Sequence, residues 1–169
     1  LEMLEKCKPH RGHYILAELE RKGLVHAIAT QNVTGFHLLA GSKKVFELHG
    51  NLRTFRCNYC DEPAGLEDFL NKRSCNFCGK QVLRPNVVLF GENLPEEAWT
   101  NTVTEVRQSD LLIVIGTSLT VFPVNQIPWL ARGKTVYINV EEVGSRGYEF
   151  DMFIQGKAGE VLEELINTI

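Results

Sequence analysis

Four cysteines in two Cys-x2-Cys pairs constrain the fold of this chain more than any other feature of its sequence. Cys57 and Cys60 form the first pair, Cys75 and Cys78 form the second, and fourteen residues separate the two pairs. Each pair is typical of a tight turn that places two thiolates on one side of a metal ion, and two such turns complete a tetrahedron. Because no position is left open for water, the pattern predicts a structural zinc site rather than a catalytic one.

The segment around these cysteines has little continuous apolar sequence, which indicates an insert stabilised by something other than a hydrophobic core. We therefore divide the 169-residue chain into a zinc-ribbon module at residues 51–87 and a larger domain formed by residues 1–50 and 88–169. Buried free thiols or a redox-active pair are the alternatives to zinc. The cysteine spacing favours a reducing compartment over a disulfide framework, so the predicted location is the cytoplasm.

Composition and charge narrow the classes of partner. The chain is 44% apolar and 23% charged, with a net charge of −3, which is ordinary for a globular protein. The negative charge argues against nucleic acid or an anionic membrane as the main partner, since both require a basic face. No apolar run approaches the roughly 20 residues that span a bilayer. The charged opening LEMLEKCKPHRG suggests no secretory signal, and we expect it to continue a helix already under way.

Short apolar runs alternate with amphipathic segments along the rest of the chain. The apolar run LLIVIG at 111–116 suits a central parallel strand that is buried on both faces. The alternation as a whole predicts a doubly wound parallel α/β sheet. The predicted strands are 25–29, 45–48, 111–116 and 135–139, and the predicted helices are 13–22, 95–109 and 159–169.

Polar residues follow three of the predicted strands, where open α/β sheets bind their ligands. They are TQN at 30–32, GTS at 116–118, and Asn139 with Glu141. Gly116 would let a ligand approach the backbone, and the hydroxyls and amides after it could hold a phosphate. Asn139 and Glu141 suit ribose hydroxyls. GTS equally fits a plain strand-to-helix turn, and no G-x-G-x-x-G occurs, so these patterns alone leave the ligand open.

The order and spacing of several motifs resemble those of the sirtuin family, from PHRGH at 9–13 to the last helix. The resemblance implies a Rossmann-like, NAD-binding domain with a zinc-ribbon insert. It also implies NAD-dependent removal of acetyl or other acyl groups from protein lysines, giving nicotinamide and O-acyl-ADP-ribose. The motifs are TQNVTGFHLLAGS, ELHGN, the cysteine quartet, RPNVVLFGENLP, IGTSL and INVEE.

The resemblance also implies roles for individual residues. His49 is the expected general base, a task that suits histidine because its unperturbed pKa lies near 6.5, and Asn32 is its expected catalytic partner. Gln31 and Asn32 are expected at the nicotinamide-side ribose. Further NAD contacts are expected at Thr34, Gly116, Thr117, Ser118, Asn139, Glu141, Lys157 and Ala158. The expected acyl-lysine contacts are Val88, Phe90, Gly91 and Glu92, with the last two pairing with the substrate backbone.

Two departures from the family pattern stand out. No part of this sequence matches the glycine-rich segment that opens the family's sheet, so we expect the first strand of the sheet to be missing. The strand edge left exposed would favour pairing with a second chain. Thr34 also stands where the family has an aspartate that receives the nicotinamide carboxamide, which predicts weaker nicotinamide recognition. The alternative functions are a non-catalytic remnant or interaction module, and an NAD glycohydrolase. The zinc ribbon and the NVVLFGE segment argue against a hydrolase, and a zinc-ribbon nucleic-acid binder is the weakest alternative.

Overall fold

The computed structural model describes residues 7–142 and 147–168. The predicted helix at the extreme amino terminus and the packing of Ile169 therefore lie outside the described residues. The helices are α1 Arg11–Arg21, α2 Phe36–Leu39, α3 Leu66–Leu70, α4 Glu96–Gln108 and α5 Ala158–Ile166, with a 3-10 helix at Val124–Leu130. The strands are β1 Ile28–Thr30, β2 Val45–Glu47, β3 Gly50–Cys57, β4 Pro63–Ala64, β5 Leu83–Val87, β6 Leu111–Ile115, β7 Lys134–Asn139 and β8 Met152–Gln155.

Within the described ranges the strands form three sheets. Strands β1 and β2 form a parallel pair, and β6, β7 and β8 form a parallel sheet in that order. Strand β3 lies between β4 and β5 in an antiparallel sheet that carries the cysteines. Parallel strands must be joined by crossovers. Helix α2, which was not predicted, connects β1 to β2, whereas the predicted helices α4 and α5 precede β6 and follow β8.

Helix α1 forms because its apolar residues recur at helical spacing and face α5. Ile15 is fully buried, Leu19 is 8% exposed, and both pack against Leu162. The helix begins two residues earlier than predicted because the side chain of His10 caps it, accepting a hydrogen bond from the Gly12 amide at 3.0 Å. It ends at Arg21, one residue before the predicted end, and Gly23 follows the C-cap residue Lys22 with a φ of 74°, which glycine adopts most readily.

The prediction for residues 111–116 is wrong in one respect. Strand β6 is not central in the described chain but lies at one edge of its sheet, paired with β7 alone. Leu111 and Ile113 are consequently 48% and 36% exposed. The central strand is β7, in which Tyr137 and Ile138 are 2% and 0% exposed. An apolar run therefore identified a parallel strand correctly but not its position in the sheet.

Other boundaries differ from the predictions by a few residues. The first strand occupies residues 28–30 rather than 25–29, and α4 is one residue shorter at each end than predicted. Trp99 packs against the buried cluster that contains Val106, so both residues lie on the inner side of α4. Trp129 is 55% exposed and meets Tyr148 edge-on, so a packing role holds for Trp99 only. No helix in the described ranges has the length and apolar character that crossing a membrane requires.

A group of three histidines joins α1 to α2. The His13 ring is 4.0 Å from that of His10 and 4.7 Å from that of His37, measured between centroids. Burial lowers the pKa of His13 to about 4, and the neighbouring charges of His10 and His37 act in the same direction. Burial also lowers the pKa of His37, which the carboxylate of Glu47 partly offsets. The fold therefore favours neutral imidazoles at this position.

Lowering the pH should destabilise the fold through His13. Its pKa is about 6.5 in the unfolded chain and about 4 in the folded one, so the unfolded state takes up the proton first. The stabilisation is complete above about pH 6.5 and is lost as the pH falls towards 4. We expect the free energy of unfolding, measured with urea, to fall by about 2 kcal/mol between about pH 7.5 and pH 5.

His13→Gln should lose most of this pH dependence because glutamine does not titrate. His26→Gln is the matched control, since His26 is exposed and lies outside the histidine group. An equal loss of stability on acidification in wild type and His13→Gln would contradict the assignment.

Candidate functional site

The four paired cysteines converge on one point in the insert. Cys57 Sγ lies 3.6 Å from Cys78 Sγ, and Cys60 Sγ lies 3.7 Å from Cys75 Sγ. All four sulfur atoms lie within 4.8 Å of one another. Zinc–sulfur bonds of about 2.3 Å in a tetrahedron place the sulfurs about 3.8 Å apart, so the four thiols fit a structural zinc ion. The predicted metal ligands are therefore in position to bind zinc.

The two cysteine turns are built alike, although their sequences differ. The amide of Asp61 donates to the carbonyl of Cys57 at 3.0 Å, and the amide of Gly79 donates to that of Cys75 at 2.9 Å. Asp61 and Gly79 each follow the second cysteine of their turn and have φ values of 58° and 73°. Aspartate and glycine are among the residues that adopt this left-handed conformation most readily. The sequence around each pair thus fixes the turn that presents the sulfurs.

The thiols also show why a cation belongs between them. Desolvation raises the pKa of Cys57, but hydrogen bonds from the Tyr59 and Cys60 amides and from neighbouring thiols outweigh it and bring the pKa to about 7. A backbone hydrogen bond lowers the pKa of Cys60, but desolvation and the surrounding thiols raise it to about 12. The protein alone thus favours one thiolate and keeps a proton on another thiol. A divalent cation allows all four to ionise.

The carboxyl ends of β1 and β6 lie next to each other. The side-chain amide of Gln31, just after β1, donates to the hydroxyl of Thr117, just after β6, at 3.3 Å. The predicted ribose and phosphate segments are therefore neighbours although 86 residues separate them in sequence. Gly116 has a φ of 61°, and no atom lies within 4 Å of the position a Cβ would take. This open backbone suits close approach of a ligand.

A chain of hydrogen bonds fixes the end of β7 beside the GTS segment. The hydroxyl of Tyr137 donates to the carbonyl of Thr117 at 2.7 Å, and the side-chain amide of Asn139 donates to that hydroxyl at 2.7 Å. The amide of Leu119 donates to the Thr117 hydroxyl at 3.2 Å, and Ser118 contacts Thr120 at 2.8 Å. Asn139 is thus held against the same edge as Thr117.

Tyr137 was missed by the sequence analysis. The period-two alternation within TVYIN assigns Tyr137 to one face of the strand, but it does not tell which group the hydroxyl meets.

The remaining predicted cofactor residues are less closely tied to this edge. Glu141 is exposed, and Lys157 is an exposed residue that precedes α5 and pairs with Glu160 at 3.2 Å. Ala158 is the first residue of α5. The amide of Gly156 donates to the Asn139 carbonyl at 2.9 Å, which brings the start of α5 beside the end of β7.

Asn32 and Thr34 follow β1 and face different surroundings. Asn32 is exposed, and its amide donates to the Thr30 hydroxyl at 3.1 Å, which bends the chain out of the strand. Thr34 is half-buried and precedes Gly35, whose φ of 74° starts α2. The carbonyl of the intervening Val33 accepts from the amide of Leu52 at 3.0 Å. This bond ties the loop after β1 to the beginning of β3.

His49 lies between β2 and β3, at the junction of the larger domain and the insert. Its carbonyl accepts a hydrogen bond from the amide of Val88 at 2.9 Å, so the predicted base and a predicted substrate residue are directly linked. Gly50 follows with a φ of 71°, and a Cβ there would collide with the carbonyl of Asn86. The His49 imidazole forms no hydrogen bond with any described residue, which leaves its nitrogens available to a ligand.

A turn at residues 89–92 follows β5 and carries the other predicted substrate residues. The amide of Glu92 donates to the carbonyl of Leu89 at 3.0 Å, and Gly91 has a φ of 87°. Phe90 is fully exposed at the apex of this turn. The Glu92 side chain bonds within the protein to Arg84 and Leu89. The sequence analysis missed Arg84, because no local pattern predicts which carboxylate it would pair with.

A cleft of about 960 Å³ separates the insert from the larger domain. Val88 and Glu92 line it, together with β2 and the first turns of α4. The GTS segment and His49 do not line it, so the cleft does not include the edge formed by the ends of β1, β6 and β7.

Comparisons with known proteins extend over nearly the whole chain. A profile of the Sir2 family matches residues 1–123. The chain is 46% identical over 168 residues to NAD-dependent protein deacetylase 1 of Geobacillus kaustophilus, an alignment that covers 98% of this chain and 69% of that protein. It is 38% identical over 177 residues to the NAD-dependent protein deacylase of Thermococcus sibiricus, covering 98% and 69%.

Solved structures give the same result. A Sir2 protein with a p53 peptide and NAD+ superposes with a TM-score of 0.89 at 34% identity, covering 98% of this chain and 72% of that one. A Sir2 protein bound to a propionylated peptide also gives 0.89 at 34% identity, covering 98% and 73%. This likeness confirms the predicted Rossmann-like α/β class.

Removing zinc should unfold the insert. We expect one zinc per chain by native mass spectrometry, and a chelator or Cys60→Ser should remove it and lower stability by roughly 3 kcal/mol or more, because binding energy of a structural zinc is folding energy. Cys7→Ser is the control, since Cys7 is exposed and lies outside the quartet. A melting temperature unchanged by chelation would show that the insert does not need the metal.

Proposed function

The chain belongs to the Sir2 family, and we propose that it removes acetyl or other acyl groups from protein lysines with NAD as co-substrate. The products are free lysine, nicotinamide and O-acyl-ADP-ribose. The hydrogen bond between the Val88 amide and the His49 carbonyl is the observation that best supports this proposal. It joins the backbone of the expected general base to the segment assigned to the acyl-lysine. A protein that acted on free NAD alone would not need that link.

We assign the nucleotide to the carboxyl edge of β1, β6 and β7. Gln31 and Asn32 would contact the ribose on the nicotinamide side, and the open backbone at Gly116 would lie against the phosphates. Thr117 and Ser118 would donate hydroxyls there. The adenine side would meet Asn139, Glu141, Lys157 and Ala158. The Gln31–Thr117 and Asn139–Tyr137 bonds support this assignment because they hold both halves of the edge before any ligand binds.

NAD supplies the activated ribose carbon that accepts the acyl oxygen. The role of the protein in this chemistry is to hold the reacting groups and to move one proton. His49 would take a proton from a ribose hydroxyl, which suits an imidazole at neutral pH. Asn32, exposed beside the ribose position, would orient that hydroxyl.

The acyl-lysine would lie over Val88 and Phe90. Phe90 is fully exposed, and an exposed aromatic ring at the tip of a turn is suited to contact an aliphatic stem. The free backbone of Gly91 would pair with the substrate main chain, a mode known as β-augmentation. Glu92 would act on the substrate only through its backbone, since its carboxylate bonds within the protein.

The organisation predicted around this activity is part of the proposal. The nucleotide domain comprises residues 1–50 and 88–169, and the zinc-ribbon module comprises 51–87. Thiol ligands favour a reducing compartment, and we assign the protein to the cytoplasm. The completion of the sheet by a second chain at the outer edge of β6 stays a prediction.

Product identity tests the proposal. Wild-type protein incubated with NAD and an acetyl-lysine peptide should form O-acetyl-ADP-ribose, detected by mass spectrometry. His49→Ala should reduce the rate of product formation by roughly 100-fold or more, because a general base typically accelerates a reaction by at least that factor. His26→Ala should leave the rate unchanged. ADP-ribose as the only nucleotide product would indicate a glycohydrolase. No product from a folded, zinc-loaded chain, even when the expected glycine-rich first segment is supplied, would indicate a non-catalytic interaction module.

Thr34 gives a second test. Threonine offers a hydrogen bond but no charge to the carboxamide of nicotinamide. Thr34→Asp should therefore strengthen inhibition by nicotinamide by about tenfold, as expected for one added charge-assisted hydrogen bond. Thr34→Ser is the matched control, because it keeps the hydroxyl without the charge. Unchanged nicotinamide inhibition in Thr34→Asp would overturn the assignment of this position.

A further inference from the structure

One arginine links three parts of the molecule that the proposed function treats separately. Arg84 lies in β5, and its side chain is 15% exposed. Its guanidinium donates to both carboxylate oxygens of Glu92, at 2.5 and 3.1 Å. It also donates to the carbonyl of Val87 at 2.6 Å, at the end of the same strand. Arg84 therefore spans from β5 to the far side of the 89–92 turn.

Glu92 links Arg84 to the backbone of the 89–92 turn. One of its carboxylate oxygens accepts a hydrogen bond from the amide of Leu89 at 2.9 Å. The amide of Glu92 donates in turn to the carbonyl of Leu89 at 3.0 Å. These two bonds close the turn around Phe90 and Gly91. Its conformation thus depends on a carboxylate that Arg84 holds in place, which also lowers the pKa of Glu92.

The same guanidinium reaches the zinc site. Its Nη1 donates to the side-chain carbonyl of Asn58 at 3.0 Å, and Asn58 lies between the two cysteines of the first turn. The amide of Asn58 is held by the carbonyl of Val82 at 2.9 Å, just before β5. The position of the Asn58 side chain is set by the cysteine turn, which the metal stabilises. A continuous path of hydrogen bonds therefore runs from the cysteine quartet to the substrate turn.

We propose that Arg84 is a positioning residue, which couples the zinc-bound cysteine turn to the shape of the 89–92 turn and so sets the affinity for the acyl-lysine peptide. The part about the peptide rests on the proposed function, whereas the coupling does not. Arginine suits this position because its planar, forked donors can bond a carboxylate at two points and two carbonyl oxygens at once. A lysine carries the same charge but cannot reproduce that geometry.

Amide hydrogen exchange tests the coupling without any turnover. In the zinc-loaded protein, the amides of Leu89 and Glu92 should be protected. Arg84→Lys should speed their exchange by about tenfold, as expected for the loss of local hydrogen bonds. Arg73→Lys is the matched control, since Arg73 lies in the same insert but pairs with Asp68 and does not contact the turn. Equal exchange of Leu89 and Glu92 in wild type and Arg84→Lys would overturn the proposal.

Asn58→Ala separates the zinc path from the Arg84–Glu92 pair. It removes only the contact between the cysteine turn and the guanidinium, and zinc content by mass spectrometry should stay at one per chain. Chelation of zinc and Asn58→Ala should each speed the exchange of the 89–92 amides. The increase in exchange rate caused by Asn58→Ala should be smaller than the increase caused by Arg84→Lys. Unchanged exchange in both would show that the turn is independent of the metal site.

Peptide affinity tests the consequence for function. Arg84→Lys should raise the Kd of an acetyl-lysine peptide, measured by fluorescence anisotropy, by about tenfold, and raise its KM equally, with the KM for NAD changed less than about twofold. A merely destabilised protein would lower the amount of active enzyme, and therefore kcat, with both KM values unchanged, which would overturn the positioning role. If wild type forms no O-acetyl-ADP-ribose, the proposed function fails, while the exchange experiment still decides whether Arg84 couples the two sites.

Discussion

Four thiols that lie within 4.8 Å of one another hold the insert together, and the arrangement of the reacting groups depends on them. Apart from two of the cysteines, Phe55 is the one buried apolar side chain among the described residues of the insert. Phe55, stacked on Phe69 at 4.8 Å, is one of the few aromatic contacts beneath the antiparallel sheet. A segment with so small a core requires a metal to order it. Once the cysteine turns are fixed, β3 and β5 are aligned, and with them the residues at each end of those strands.

That alignment brings together residues that lie at the boundary between the insert and the larger domain. His49 immediately precedes β3 and Val88 immediately follows β5, so the pairing of these two strands brings the proposed base and the proposed substrate segment together. Gly50 permits the close approach because any side chain there would collide with Asn86. Arg84 and Glu92 then extend the same order into the 89–92 turn. A structural metal can therefore influence binding without touching a ligand.

The nucleotide edge is organised by a different force, the burial of apolar helix faces. Helices α1 and α5 share a buried cluster in which Ile15 and Leu162 are almost completely inaccessible. This packing places the start of α5 near the end of β7. Side-chain hydrogen bonds between Gln31 and Thr117, and among Thr117, Tyr137 and Asn139, complete the edge. Apolar contacts and side-chain hydrogen bonds thus act together to position this edge.

Local sequence patterns determined much of this protein. The cysteine spacing predicted the metal site, helical periodicity predicted α1 and α5, and the apolar runs identified β6 and β7 as parallel strands. The motifs also indicated the family, because they occur in a fixed order. These features depend on spacing along the chain, which a sequence displays directly.

The tertiary structure alone decided which distant groups meet. It showed that β6 lies at an edge of its sheet in the described chain and that the Glu92 carboxylate bonds to Arg84. It also showed that Gln31 reaches Thr117 across 86 residues of sequence. Such contacts depend on how strands are ordered and how long side chains are oriented. Neither leaves a periodic trace in the sequence, because both result from the packing of segments far apart along the chain.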